Sequence, residues 1–213
     1  MPIFRINSKL LYFSHIPKCG GSSVEDFVMS YSNSSGFLDR KFLAHRYPWT
    51  KTSPQHIDGV SLNRLFNNQN FFDHYFTIVR HPISRFKSAF MFQKHLSKKI
   101  SIELSINSYV KLIKEKKINI FGYCDNHFVP MVYFLMPSVK YKIFKLEEGL
   151  DKFKEWFKSE IHSEIHDNDI PVVNSTSEEL KSIEDYTLNK NSMDFLTELY
   201  KDDYETFNYD FTN

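Results

Sequence analysis

The sequence predicts an α/β domain with a mainly parallel central sheet flanked by helices. Two observations carry that expectation, the short apolar runs and the helical patterns that follow them. Short apolar, aromatic runs at residues 10–16, 74–80 and 141–146 each give way to a helical pattern. Strands alternating with helices build parallel sheets, because each crossover helix covers a sheet face. Length and composition bound the size. The chain has 213 residues, 41% hydrophobic and 16% aromatic, enough for one buried core and too apolar for disorder. It is therefore read as one domain spanning 1–213.

The elements follow in order. Residues 10–16 (LLYFSHI) stop at Pro17 and a glycine pair, a buried strand running into a turn. Ser22 or Ser23 is expected to cap the next helix, with Glu25 and Asp26 in its first turn complementing the dipole. Val24, Phe27, Val28 and Tyr31 give that helix an apolar face. Residues 32–58 are rich in Ser, Asn, Gly, Pro and His, lack periodicity, and read as a loop suited to substrate contacts. A short helix is expected at 62–66. Residues 74–80 (HYFTIVR) form a second strand, stopped by Pro82. The helix at 83–96 has Phe86, Ala89, Phe90 and Phe92 for packing. Helices are also expected at 106–115 and after Pro130. Residues 141–146 (YKIFKL) form a third strand, followed by a helix over 147–157 and a helical tail over 178–204. No internal repeat or low-complexity tract interrupts this order.

Charge is uneven. Residues 1–120 carry 18 Lys/Arg against 7 Asp/Glu, and the remainder 9 against 19. An anionic ligand is expected on the N-terminal half. No run approaches the roughly 18 apolar residues of a membrane span, and the N-terminus lacks a signal-peptide pattern, so a cytoplasmic protein is expected. Cys19 and Cys124 make no disulfide framework and, with no close His/Cys spacing, no zinc site. No metal, nucleic-acid partner or integral membrane segment is expected.

Two segments carry chemistry. The first is the turn Pro17-Lys18-Cys19-Gly20-Gly21-Ser22-Ser23, between a strand and a helix. Adjacent glycines let successive N–H groups face one point, an anion-binding nest at a helix N-terminus. Lys18 adds a point charge and the serines add donors. A bare Gly-Gly would be only a tight turn; its flanks make it an anion site. The lysine precedes the glycines, unlike the order GxxxxGK[ST] of nucleoside triphosphatases. The second segment runs from Thr77 to Phe90. Arg80 ends a strand, where ligands gather in open α/β sheets, and Ser88 follows eight residues later on the next helix. The planar guanidinium of Arg80 suits a phosphate. Arg85 and Lys87 read as an ordinary solvated helix face and are left out of the site.

Together these segments resemble the two signatures of sulfotransferases that use 3′-phosphoadenosine-5′-phosphosulfate (PAPS): a 5′-phosphosulfate loop, typically PKTGGTS, and a 3′-phosphate strand and helix, typically VRxPxxRxxSxF. The pattern is most similar to carbohydrate sulfotransferases related to heparan 2-O-sulfotransferase and their bacterial relatives. Softer likenesses lie at residues 53–57, 125–130, 144–147 and 199–207. The resemblance implies a P-loop-like three-layer domain. It implies that Lys18, Cys19, Gly20, Gly21, Ser22 and Ser23 contact the 5′-phosphosulfate, and that Arg80 and Ser88 hold the 3′-phosphate. His56, 24 residues before Arg80, falls close to where the heparan 2-O-type enzymes carry a catalytic histidine. Position 19 is Cys where the family usually has Thr, so a hydroxyl is missing; a thiol beside Lys18 at a helix N-terminus is expected to ionise readily and be open to oxidation.

The implied reaction moves a sulfuryl group from PAPS to a hydroxyl, expected on a carbohydrate, by in-line attack, and releases adenosine 3′,5′-bisphosphate. Lys18 would neutralise the oxygen bridging sulfate and phosphate. A histidine is the natural base for the acceptor hydroxyl. His56 is the candidate and His45 the alternative, while His15 reads as packed beneath the loop. His127 lines a pocket or makes a buried structural hydrogen bond, and Asp125 has no assigned role. The segment containing Asn174 resembles a late family segment near the donor, which a turn or helix cap explains equally well. Two other readings stand beside this one: a nucleotide-dependent kinase, which would need Mg²⁺ ligands, and a non-catalytic nucleotide-binding relative. Oligomeric state is not readable from the sequence.

Overall fold

The computed structural model describes residues 2–32, 34–42, 51–66, 70–165, 170 and 185–211. The chain falls into two compact units, Met1–Arg80 with Tyr133–Asn174, and His81–Val132 with Ser175–Asn213.

The first unit holds a five-stranded sheet in the order β3-β1-β2-β4-β5. Strands β1 (Ile3–Ile6) and β2 (Lys9–Ser14) form an antiparallel hairpin around Asn7, whose φ of 54° suits a tight turn. Strand β3 (Ser34–Gly36) adds an antiparallel edge to β1. Strands β4 (His74–Val79) and β5 (Lys142–Lys145) extend the other side in parallel, with Tyr12 opposite Tyr75 and Phe13 opposite Phe76. The sheet is therefore mixed, not mainly parallel. A two-residue connection permits only antiparallel pairing of β1 with β2. Strand β3 consists of Ser-Ser-Gly and gives no apolar signal.

Side chains alternate across this sheet, and its two faces carry different aromatic sets. On one face Phe13 stacks on Phe76 at 4.8 Å, and Phe76 and Phe144 meet Phe153 of α5 (Asp151–Trp156). Phe27 of α1 (Gly21–Met29) joins Phe153 and Phe157 there. On the other face Tyr12, Tyr75 and Tyr141 gather with Phe72, which Phe66 at the end of α2 (Gly59–Leu65) also meets. Helices thus flank both faces, and burial of these rings supplies most of the unit's hydrophobic stabilisation. Helix α5 begins later than the expected 147 because Gly149, at φ 77°, interrupts it.

The second unit is helical. Helix α3 (Pro82–Met91) continues into a π turn over Phe92–Leu96, and α4 (Ile106–Lys114) is capped by the Ser105 hydroxyl. Phe86, Phe90, Tyr109, Phe128 and Tyr200 form its core. The expected helical tail is two helices, α6 (Lys190–Leu199) and α7 (Lys201–Phe207); residues 178–184 of that expectation lie outside the described residues. The helix expected after Pro130 is one 3₁₀ turn, Met131–Phe134. Among the described residues no helix is long and apolar enough to cross a membrane.

Candidate active site

Strand β2 ends at Ser14, whose carbonyl takes the Thr77 hydroxyl of β4 at 2.8 Å. That bond registers the two strand ends from which the two candidate phosphate segments emerge. The chain then turns through Pro17-Lys18-Cys19-Gly20. Lys18 (φ 66°) and Gly20 (φ 78°) both occupy the left-handed region. Such a turn curls the backbone tightly enough to start α1 at Gly21, with Gly20 as N-cap and no side-chain cap. The expectation that Ser22 or Ser23 caps the helix is corrected, because both already lie inside it. Glu25 and Asp26 consequently sit beyond the first turn and do not serve its N-terminus. The N–H groups of Gly21 and Ser22 head the helix, where no intrahelical acceptor exists, and the helix dipole adds positive potential.

Two cations stand at this turn. The Arg80 guanidinium donates to the Lys18 carbonyl at 3.4 Å. Burial, and next the Arg80 charge, bring the Lys18 ammonium down to about 8. Desolvation and a neighbouring cation both disfavour the charged lysine, and an anion bound beside it would relieve both. The Leu146 side chain lies over Gly20, 2.9 Å from where a Cβ would stand, and the φ of 78° adds to the preference for glycine there.

Cys19 is buried to 1%, its Sγ 3.8 Å from the Pro17 carbonyl. Burial closes the thiol to solvent, against the expectation of an oxidation-prone group.

Beneath the turn lies a buried pair. The Nδ1 of His15 is 2.5 Å from Oε1 of Glu25, and Arg40 donates to Glu25 Oε2 from Nη2 at 3.1 Å and Nε at 3.3 Å. Glu25 is 1% exposed and His15 8%. Burial alone would raise the Glu25 carboxyl, but His15 and Arg40 outweigh it and hold it below its ordinary value. Burial lowers His15, with Glu25 opposing. An ionised Glu25 carboxylate can only accept, so His15 donates to it through Nδ1–H. The His15 ring also meets the His56 ring edge to face, centroids 5.1 Å apart. His56 ends a 3₁₀ turn, Pro54–His56, and Asp58 caps the following α2 by accepting from the Ser61 N–H.

The sequence-predicted residues Lys18, Cys19, Gly20, Gly21, Ser22, Ser23, His56 and Arg80 all belong to the first unit. Ser88 is a buried residue of α3 in the second unit. His45 and Asn174 lie outside the described residues. Sequence reading took Glu25 for a first-turn acid complementing the helix dipole and missed its pairing with His15. The one available signal was its spacing, ten residues from His15 on a helix whose other face is apolar.

In the second unit, Arg85 is not a solvated residue. It is 0% exposed and donates to the carbonyls of His127 at 3.1 Å and Val129 at 2.6 Å, while its guanidinium lies over the Tyr200 ring. His127 Nδ1 lies 2.8 Å from the Gln93 amide nitrogen, a buried hydrogen bond that matches one of the two readings given for it. Gln93 also donates to the Cys124 carbonyl. The residues between, Cys124, Asp125 and Asn126, all have positive φ. Such a run costs about 1–2 kcal/mol per residue, least for Asp and Asn, and needs outside support of the kind Gln93 and Arg85 provide.

No curated protein and no solved structure matches this chain. Residues 2–210 do match the family model described as the sulfotransferase family. A strand end opening into a cation-flanked turn is thus continuous with a pattern running through nearly the whole sequence, and the chain belongs to the sulfotransferase family.

Proposed function

We propose that this protein transfers a sulfuryl group from PAPS to a hydroxyl of a carbohydrate, with His56 as general base. The observation that carries the reading is the pairing of Lys18 and Arg80 at a turn whose helix-heading amides have no side-chain cap. PAPS, when bound, supplies the sulfuryl group on a phosphosulfate anhydride. Gly21 and Ser22 offer N–H donors to its 5′-phosphosulfate, and Lys18 neutralises charge on the bridging oxygen as the S–O bond to phosphate breaks. Arg80 receives the 3′-phosphate through its planar fork. The motif also assigns Ser88 to that phosphate, and this assignment rests on the resemblance alone. His56 takes the acceptor's O–H proton as the new O–S bond forms, and adenosine 3′,5′-bisphosphate leaves.

Two charged phosphate positions suit PAPS better than a nucleoside triphosphate, and Lys18 precedes the glycines. A carbohydrate acceptor is supported by the resemblance to carbohydrate enzymes. Thermal shift tests the donor: adenosine 3′,5′-bisphosphate is expected to raise Tm and ATP–Mg²⁺ is not, and the reversed preference would overturn the reading. Transfer of radiolabelled sulfate from PAPS across a panel of oligosaccharides and simple alcohols then identifies the acceptor. His56→Ala is expected to abolish that transfer while keeping product binding.

A further inference from the structure

We infer that His15 and Glu25 are positioning residues of the transfer site, holding the donor turn and the base His56 in one geometry. This rests on the proposed reading of His56 and of the turn. A packing role alone would not require these residue types. The strand-end environment is apolar, with Phe13 stacked on the His15 ring at 5.5 Å, and a phenylalanine would fill it without burying a carboxylate. The chain instead places a charge-assisted pair there and connects it outward to Arg40, whose side chain is 43% exposed and also meets Asp26 at 2.6 Å.

The pair's geometry gives each atom a task. Glu25 accepts from His15 Nδ1–H, which fixes the ring's tautomer and its rotation. Nε2 then points at Gly21, so near that a Cβ there would stand 2.3 Å away. The same ring meets His56 edge to face. One imidazole therefore touches both the helix-heading residue of the donor turn and the base. Its orientation is set by Glu25, and Glu25 in turn is held by Arg40. A base must lie within hydrogen-bond reach of its proton, and small misplacements are costly, so a rigid spacer between donor turn and base has a direct catalytic effect.

The variants are Glu25→Gln, which keeps the shape and removes the charge, and His15→Phe, which keeps the ring and removes the Nδ1–H bond. Each is compared with wild type and His56→Ala for adenosine 3′,5′-bisphosphate affinity by calorimetry and for sulfate transfer at saturating PAPS with the best acceptor of the panel. Supporting structural groups around a reactive centre commonly matter by 10–100-fold, so both variants are expected to lower kcat about 10- to 100-fold with product affinity within about threefold of wild type. Wild-type kcat in both, with His56→Ala inactive, overturns the inference alone. Parallel loss of affinity, Tm and rate assigns the pair to structure and also overturns it. Full activity of His56→Ala instead overturns the base assignment, and absence of product binding to wild type overturns the donor assignment. A separate arm needs no ligand: in ¹⁵N-histidine spectra at fixed pH, Glu25→Gln is expected to shift the ring signals of both His15 and His56. An unmoved His56 overturns the inference.

Discussion

A Cβ added to Gly21 would stand 2.3 Å from Nε2 of His15, whose ring cannot retreat because Nδ1 is bound to buried Glu25. Glycine at 21 therefore serves close approach, whereas at 20 it also serves a left-handed φ. Gly21→Ala is expected to destabilise the protein by about 1–3 kcal/mol, the usual cost of overpacking. Chemical denaturation measures this, and combining the change with His15→Ala should recover part of the loss.

Lys18 carries its charge only below about 8 in the free protein. Its folded value is depressed, so the ammonium form predominates below that pH and is lost above it. A bound anion favours the charged form and lifts the value again. Affinity for adenosine 3′,5′-bisphosphate is accordingly expected to fall as pH rises above 8, by up to about tenfold per pH unit. Lys18→Arg stays charged and should flatten that profile. Titration calorimetry across pH 7–10 (roughly the range of lysine ionisation) reads both effects.

Arg85 holds two carbonyls of residues 127–129 and has no exposed surface. Arg85→Met preserves bulk but leaves both carbonyls without their charged donor. Hydrogen bonds to charged groups contribute about 1.5–3 kcal/mol each, so a loss of at least about 3 kcal/mol is expected. A surface arginine would cost almost nothing, so denaturant midpoints separate the two cases cleanly.

Asp203 accepts from the N–H groups of Met131 and Val132, both at 2.9 Å. Burial raises its carboxyl to about 6, although Arg85 and the two amides pull the other way. The folded value lies above that of a free carboxylate, so the native state binds the extra proton. Stability from this group therefore falls as pH rises from about 4 to 6. Asp203→Asn should flatten that dependence yet lower stability overall by about 1–3 kcal/mol, because one amide loses its acceptor. Melting temperature followed from pH 4 to 7 (roughly spanning the window) tests both.

Much of the fold was legible before any coordinates. The runs LLYFSHI, HYFTIVR and YKIFKL are strands β2, β4 and β5, and α1, α3 and α4 follow expected periodicities. Each is a local signal: apolar period, then a Pro or Gly stop. The antiparallel additions β1 and β3 were not legible as sheet partners, since Ser-Ser-Gly has no pattern and its pairing is decided by β1. The turn at 17–23 was recognisable because its chemistry is contiguous in sequence.

What the sequence by itself determined was the turn carrying Lys18, the second cation at a strand end, and the family to which the chain belongs. Tertiary structure alone decided which charged side chains are buried. Glu25 read as an acid complementing the helix dipole and Arg85 as a solvated helix residue, yet Glu25 is 1% exposed and Arg85 0%. Helical spacing says which residues share a face but not what covers it. Burial of a charge is decided by its partners, and those partners, His15 and Arg40 for one, the carbonyls of His127 and Val129 for the other, are ten or more residues distant along the chain.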